Sequence, residues 1–271
     1  MSVLKKVFEL PRELIQNRGL IWSLAVNDFK TKYAGSYLGI FWAFTQPVVT
    51  ILVYWFVFQV GFRSNEVSNY PFVLYLTSGI VPWFFFSDAL NGGTNALIEY
   101  NYLVKKVVFK ISILPIVKMI SATFVHIFFV CFAMLICALY GYYPSLYSLQ
   151  FIYYFICSFV FTLGLVYATS AIVIFFRDLS QIIGILLQIG IWMTPIMWDI
   201  KMLEPYPMLM KLFKFNPIYY IVTGYRESFL DQVPIWGHWK WALYFWALTA
   251  MLFIVGSIVF KRLKVHFADV L

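Results

Sequence analysis

Uncharged apolar stretches of about 20 residues recur along this chain, the length a helix needs to cross roughly 30 Å of hydrocarbon, and they constrain its fold more than any other feature. In that medium every backbone amide must be satisfied within its own helix or within a closed barrel. A barrel would show shorter segments of strict alternation, and this chain does not. Hydrophobic residues at 62% against 12% charged lie outside the range of soluble domains. The expected fold class is an all-α integral membrane protein.

Six transmembrane helices are predicted, at about 38–60, 72–90, 116–140, 151–176, 182–198 and 239–260. They divide the chain into N-terminal interfacial helices over 1–32, a transmembrane domain over 33–264 and a short tail over 265–271. An even number of crossings puts both termini on one side. That side collects the N-terminal lysines and arginines, Lys105, Lys106, Lys110, Lys118, Arg177 and the Lys261-Arg262-Leu263-Lys264 cluster. The other holds Arg63, Lys201, Lys211, Lys214, Arg226 and Lys240, so the first is cytoplasmic by the positive-inside bias. The net charge of +8 therefore sits at the ends of apolar runs, where it meets lipid headgroups, and points away from nucleic acid.

Three stretches outside the spans carry further information. Val3, Leu4, Val7 and Phe8 fall at helical spacing, and 12–30 mixes apolar and charged residues, so both read as amphipathic helices in the cytoplasmic interface. The N-terminus lacks the uninterrupted apolar core of a signal peptide and is expected to be retained. Over 97–111, Val104, Val107, Val108 and Ile111 share one face, with Lys105, Lys106 and Lys110 off it. That short cytoplasmic helix rests either on lipid or in a groove on a partner. The long segment 199–238 breaks at Asn216-Pro217 into two short helices on the outer face.

Residues for covalent or acid–base chemistry are scarce. No G-x-x-x-x-G-K-[ST] loop occurs, so the chain has no ATP site of its own. The few acidic residues make no general acid–base pair, and Asp178 is most simply a turn partner of Arg177. No catalytic residue, metal cluster or cofactor site is expected. Cys131, Cys137 and Cys157 fall inside apolar runs as packing residues, and His126 reads as a packing histidine bonded to a serine or a carbonyl. Aromatic residues make up 21% of the chain, more than interface belts require. The bands Phe41-Trp42-Phe44 and Trp83-Phe84-Phe85-Phe86 suit stacking on sugar rings as well as packing.

The run Asp28-Phe29-Lys30-Thr31-Lys32-Tyr33-Ala34-Gly35-Ser36-Tyr37-Leu38-Gly39-Ile40-Phe41-Trp42 resembles the entry to the first span of type-2 ABC exporter permeases for polysaccharides. Gly79-Ile80-Val81-Pro82-Trp83, the block from Asn101 to Lys106, Ile113-Leu114-Pro115, Arg177-Asp178-Leu179, Thr194-Pro195-Ile196-Met197-Trp198 and Asn216-Pro217 extend the similarity over nearly the whole chain. Met197-Trp198-Asp199-Ile200 and the run from Tyr220 to Phe229 look most like teichoic-acid translocation permeases, with O-antigen and capsule exporters the close alternative. One departure is that Phe109 is followed by Lys110-Ile111-Ser112 where the family often has Phe-Pro-Arg-Glu.

The resemblance implies a homodimer in the bacterial plasma membrane, bound to two copies of a separate ABC ATPase that holds ATP and magnesium. It would move an undecaprenyl-diphosphate-linked polymer, wall teichoic acid in the favoured reading, to the outer leaflet. Glu99, Asn101, Leu103, Val104, Lys105, Lys106 and Val108 would form the coupling helix. Lys30, Lys32 and Tyr33 would meet the lipid diphosphate. Phe41, Trp42, Tyr54, Trp83, Phe84 and Trp192 would line the channel, and Tyr219, Tyr220, Tyr225, Arg226 and Glu227 would gate its outer end. An ion-coupled carrier should carry midplane carboxylates or paired broken helices, and a non-catalytic assembly factor is the remaining alternative. Substituting Lys105 and Lys106 separates these readings. ATP hydrolysis should uncouple from transport if the loop engages a motor, and little should change if it lies on lipid.

Overall fold

The computed structural model describes residues 16–64, 66–104 and 110–270. Helix α1 (Arg18–Lys32) precedes a 3-10 turn (Gly39–Phe41) and helix α2 (Trp42–Trp55), which continues as a π-turn over Phe56–Gly61. A two-residue hairpin, β1 (Glu66–Val67) against β2 (Tyr70–Pro71), follows. Its turn residues Ser68 and Asn69 both have positive φ, 51° and 66°, as a tight primed hairpin turn requires. The chain then enters α3 (Phe72–Glu99), one turn of α4 (Asn101–Val104), α5 (Leu114–Leu139) and α6 (Phe151–Ile172). After α7 (Leu179–Met193) come two short helices, α8 (Pro207–Lys214) and α9 (Pro217–Arg226), the latter ending in a π-turn at Glu227–Asp231. Helix α10 (Trp239–Leu263) and the terminal turn α11 (Phe267–Val270) complete the chain.

Five of these helical segments are long and apolar enough to cross a membrane: Gly39–Gly61, Phe72–Glu99, Ile111–Leu139, Leu146–Ile172 and Ile235–His266. The chain is an all-α integral membrane protein. Helix α3 is its centre, 78% buried over its apolar window where the α2 segment is only 11% buried. Helices α5 and α6 pack along α3, and α9 covers its first turns. Phe72, Leu76, Ile80, Phe85, Ala89 and Leu97 bury their side chains in that core. With no water to drive association inside a membrane, close packing must hold such helices together. The crossing of α6 and α10 shows this directly. A Cβ on Gly256 would lie 2.2 Å from the Gly164 carbonyl oxygen, so only a bare Cα lets the two backbones approach.

The fifth predicted crossing differs. Helix α7 has 15 residues, about 22 Å at 1.5 Å per residue, and is too short for a full span. Its path is nonetheless pinned at two levels of α3. Ser180 Oγ donates to Asn95 Oδ1 at 2.7 Å, and Tyr75 Oη donates to the Trp198 carbonyl at 3.1 Å. Those α3 residues lie roughly 30 Å apart along a regular helix. Helix α7 and the turn residues after it thus cover the length of a hydrocarbon core together. Two other boundaries move: α3 continues to Glu99, nine residues beyond the expected end of its span, because 91–99 pack against α5 and α6 instead of forming a loop. Of the helix expected at 97–111, the described residues show the end of α3 and the turn α4, and 105–109 lie outside the described residues. The segment 1–15 also lies outside them.

Gly256→Ala is expected to force α6 and α10 apart and cost about 1–3 kcal/mol as an overpacking change, read as a lower unfolding midpoint in nanodiscs. Gly184→Ala, where an added Cβ meets nothing within 4 Å, should be neutral or stabilising.

Candidate functional site

The polar and ionisable groups gather at the two ends of α3, labelled inner (the Glu99 end) and outer (the Phe72 end) after the orientation expected from the charge bias. At the inner end, α1 lies against α5, with Ile21 and Ala25 buried and Trp22 and Phe29 edge-on to Phe124 at 5.3 and 5.6 Å. This packing delivers Asp28 to Lys118 of α5 at 2.6 Å. Lys118 also pairs with Glu99, the last residue of α3, and Tyr100 Oη donates to Asp28 Oδ1 at 2.7 Å. One helical turn along α1, the Lys32 ammonium pairs with Asp88. These groups line a cavity of about 530 Å³ that also holds Asn91. Three carboxylates (Asp28, Asp88, Glu99) face two ammonium groups (Lys32, Lys118), so this cavity is not an anion cradle.

A second cavity of about 340 Å³ adjoins it between α1, α2, α3 and α5. Tyr33, Trp42, Gln46, Phe84, Asp88 and His126 are among its lining residues, which makes it apolar with a polar mouth at Lys32 and Asp88. His126 stacks on Phe155, centroids 4.9 Å apart, and its Nε2 meets the Tyr225 hydroxyl at 2.9 Å. The tyrosine hydroxyl is a partner the sequence did not suggest for this buried histidine. Among the described ion pairs, Arg177 and Asp178 do not pair with each other.

The predicted diphosphate ligands are distributed unevenly. Lys30 is exposed, Lys32 is held by Asp88, and Tyr33 is half-buried at the smaller cavity. A spacing of two residues puts Lys30 and Lys32 on different faces of α1. Of the predicted channel residues, Phe41, Trp42 and Trp192 are exposed, and Tyr54 meets Trp192 edge-on at 6.4 Å, joining α2 to α7. Phe84 is half-buried, edge-on to Phe129 at 5.9 Å. Trp83 is buried, its ring lying where a Gly190 side chain would stand. In the predicted coupling segment Glu99 pairs with Lys118, Asn101 is exposed, Leu103 half-buried and Val104 buried. Lys105, Lys106 and Val108 lie outside the described residues.

At the outer end of α3 the central group is Arg226 of α9, which is buried. Its Nη1 and Nη2 donate to the Pro195 and Ile196 carbonyls at 2.7 and 2.8 Å, and its Nε donates to Tyr75 O at 3.4 Å. The guanidinium lies 3.6 Å from the Tyr75 ring centroid, a cation–π contact. Both strong acceptors follow the C-terminus of α7, the negative end of its helix dipole. Gly79 makes the seat possible, since a Cβ there would lie 2.6 Å from Nη2. Of the other predicted gate residues, Tyr219 lines the same cavity as Arg226, while Tyr220 and Glu227 line a neighbouring one. Tyr225 is fully buried, Tyr220 is buried with its hydroxyl 3.3 Å from that of Tyr153, and Tyr219 is half-buried. Glu227 Oε1 meets His238 Nε2 at 2.9 Å. Burial pushes the Glu227 carboxyl above the ordinary carboxylate range, opposed by the neighbouring His238.

Sequence reasoning missed Asp28, Lys118 and Tyr100 as one unit, because their partners are 72 and 90 residues apart. Lys118→Met leaves Asp28 buried without its cation and should cost about 3–5 kcal/mol. Combining it with Asp28→Asn should recover most of that loss in thermal unfolding. A double variant no better than Lys118→Met would show that the two do not act as a pair.

A family model for ABC-2 type transporters matches residues 19–230. The O-antigen export system permease protein RfbA of Myxococcus xanthus is 29% identical over 263 residues, covering 97% of this chain and 99% of that protein. A protein of the same name from Klebsiella pneumoniae is 27% identical over 264 residues, covering 94% of this chain and 97% of its own length. Since the family match takes in α1 through the outer helices, both ends of α3 included, the chain belongs to the ABC-2 type transporter family.

Proposed function

We propose that this chain is the membrane-spanning permease of an exporter that carries a lipid-linked surface polysaccharide across the membrane, driven by a separate ABC ATPase that binds ATP and magnesium. The observation carrying this reading is the end-to-end similarity to two permeases named for O-antigen export. That similarity favours an O-antigen-like glycan over wall teichoic acid, which the late segments of the sequence had suggested. Two copies of the chain would pair with two ATPase subunits, and both termini would face the cytoplasm.

The geometry is compatible with this work. Helix α2 exposes Val49, Leu52, Val53 and Phe56, and α7 exposes Ile185, Leu186, Ile189 and Trp192, apolar rows that need lipid or a second copy to cover them. Tyr54 and Trp192 bridge these helices and offer ring faces along which a sugar chain slides. The smaller inner cavity places an apolar wall beside Lys32 and Tyr33, which suits a lipid with a charged head. To take a diphosphate, Lys32 must leave Asp88, so loading would exchange one carboxylate partner for another anion. The exposed turn at Asn101 and the segment after it would seat on the ATPase.

Purification from native membranes in mild detergent tests this. The expected result is a co-purifying ATPase near one-to-one with this chain, whose hydrolysis rises with a polyprenyl-diphosphate glycan. A chain that purifies alone under conditions preserving such complexes, or an ATPase indifferent to the glycan, would overturn it.

A further inference from the structure

At the end of α3 away from α1, four segments that are remote in sequence enclose a cavity of about 620 Å³. This is within the ~300–1,000 Å³ of small-ligand sites. The β1–β2 hairpin supplies Tyr70, the loop after α5 supplies Tyr142, the turn after α7 supplies Asp199, and α9 with its π-turn supplies Tyr219 and Asp231. We propose that this cavity is a sugar-binding site, taking a neutral or amino-bearing pyranose ring of the exported polymer. It rests on the exporter reading and goes beyond it by naming a site and the ring chemistry it selects.

The walls are held in place. Tyr70 Oη donates to Asp231 Oδ1 at 2.6 Å, and Tyr70 meets Tyr142 edge-on with centroids 5.6 Å apart. The Ser68 hydroxyl donates to Asp199 Oδ2, and the Lys201 amide donates to Asp199 Oδ1 at 3.0 Å. The Tyr75 ring is covered by Arg226, which leaves Tyr70, Tyr142 and Tyr219 to present ring surface. A pyranose offers one face of C–H groups and a rim of hydroxyls. The C–H face stacks on aromatic rings, and the hydroxyls donate to carboxylates that keep unused lone pairs.

Charge decides the class of ring. Arg226 lines the cavity, but three of its five N–H donors already go to backbone carbonyls. Against an incoming phosphodiester stand Asp199 and Asp231, with the exposed Lys201 as the accessible cation. The two carboxylates and two cations of the lining cancel in net charge, so a neutral ring meets no opposing field, and the carboxylates are the groups open to accept from its hydroxyls or an amino substituent. A metal is the poorer occupant, because no group of three or more His, Cys, Asp or Glu is assembled among the described residues.

The test is photo-crosslinking in cells making the polymer. Benzoyl-phenylalanine replaces Tyr142 or Tyr219 in the cavity, Trp192 on the apolar face of α7, or Leu243 on the exposed side of α10. After illumination, the denatured, purified chain is stained for periodate-sensitive sugar. The expected result is a glycan ladder on the Tyr142 and Tyr219 variants and none on Leu243. Adding Asp231→Asn should lower the Tyr142 adduct roughly ten-fold, the equivalent of one hydrogen bond to a charged group. A ladder at Trp192 without one at Tyr142 or Tyr219 would overturn the cavity as a site and leave the exporter reading standing. Equal labelling at Leu243 would also overturn it, since the cavity would then have no preference over a lipid-facing surface. No ladder at any position would remove the exporter reading and this site together.

Discussion

The seat of Arg226 is the contact on which the outer half of this structure depends. A helix that stops before the membrane boundary leaves carbonyls that hydrocarbon cannot satisfy. Helix α7 stops at Met193, and the carbonyls just beyond it, of Pro195 and Ile196, take their hydrogen bonds from the Arg226 guanidinium. Among the described ion pairs this buried cation makes none, so helix-end dipoles and the Tyr75 ring, with Asp199 and Asp231 across the shared cavity, supply the opposing potential. Each partner needs the other: without Arg226 the chain after α7 is unsatisfied, and without those carbonyls the cation is stranded. Gly79 is the steric condition for both.

That arrangement explains what could and could not be read in advance. The five long crossings were legible because hydrocarbon imposes a length and a composition that survive without knowledge of neighbours. The short helices at 207–214 and 217–226 were legible because Pro207 and Pro217 open them and the Asn216 side chain accepts from the Ile218 amide at 3.0 Å. Helix α7 was read as a full span, because Thr194 to Trp198 is as apolar as a membrane helix. What ends it is a side chain 30 and 31 residues away. Local periodicity carries no trace of such a partner.

The inner network failed to appear for a related reason. Lys118 reads as a cytoplasmic-edge lysine, and Asp28 as one of several polar residues on an amphipathic helix. Only packing of Trp22 and Phe29 on Phe124 brings them into contact. Once there, the pair is a liability unless complete, because a buried charge without its partner costs more than the pair contributes. The candidate ligand Lys32 shows the opposite limit. Its residue type was right for an anion, yet Asp88 already holds it.

These two ends meet in α3. Its inner turn is tied to α1 and α5 through Asp88 and Glu99, and its outer turn carries Gly79 and Tyr75 beneath Arg226. Between them the helix is almost wholly buried, and such interiors transmit displacement because they do not compress. A push arriving at the α4 turn, where the proposed ATPase would seat, would have two outcomes. Either α3 moves and strains the Arg226 seat, or the inner ion pairs break and α3 stays. Lys32 and Asp88 are both more than a third exposed, whereas Lys118 with Asp28 is buried, and Arg226 is held buried by three carbonyls. Exposed pairs exchange with water at little cost and buried ones do not. At the inner end the Lys32–Asp88 pair is the compliant contact, while the buried Asp28–Lys118 pair and the Arg226 seat are the costly ones to break.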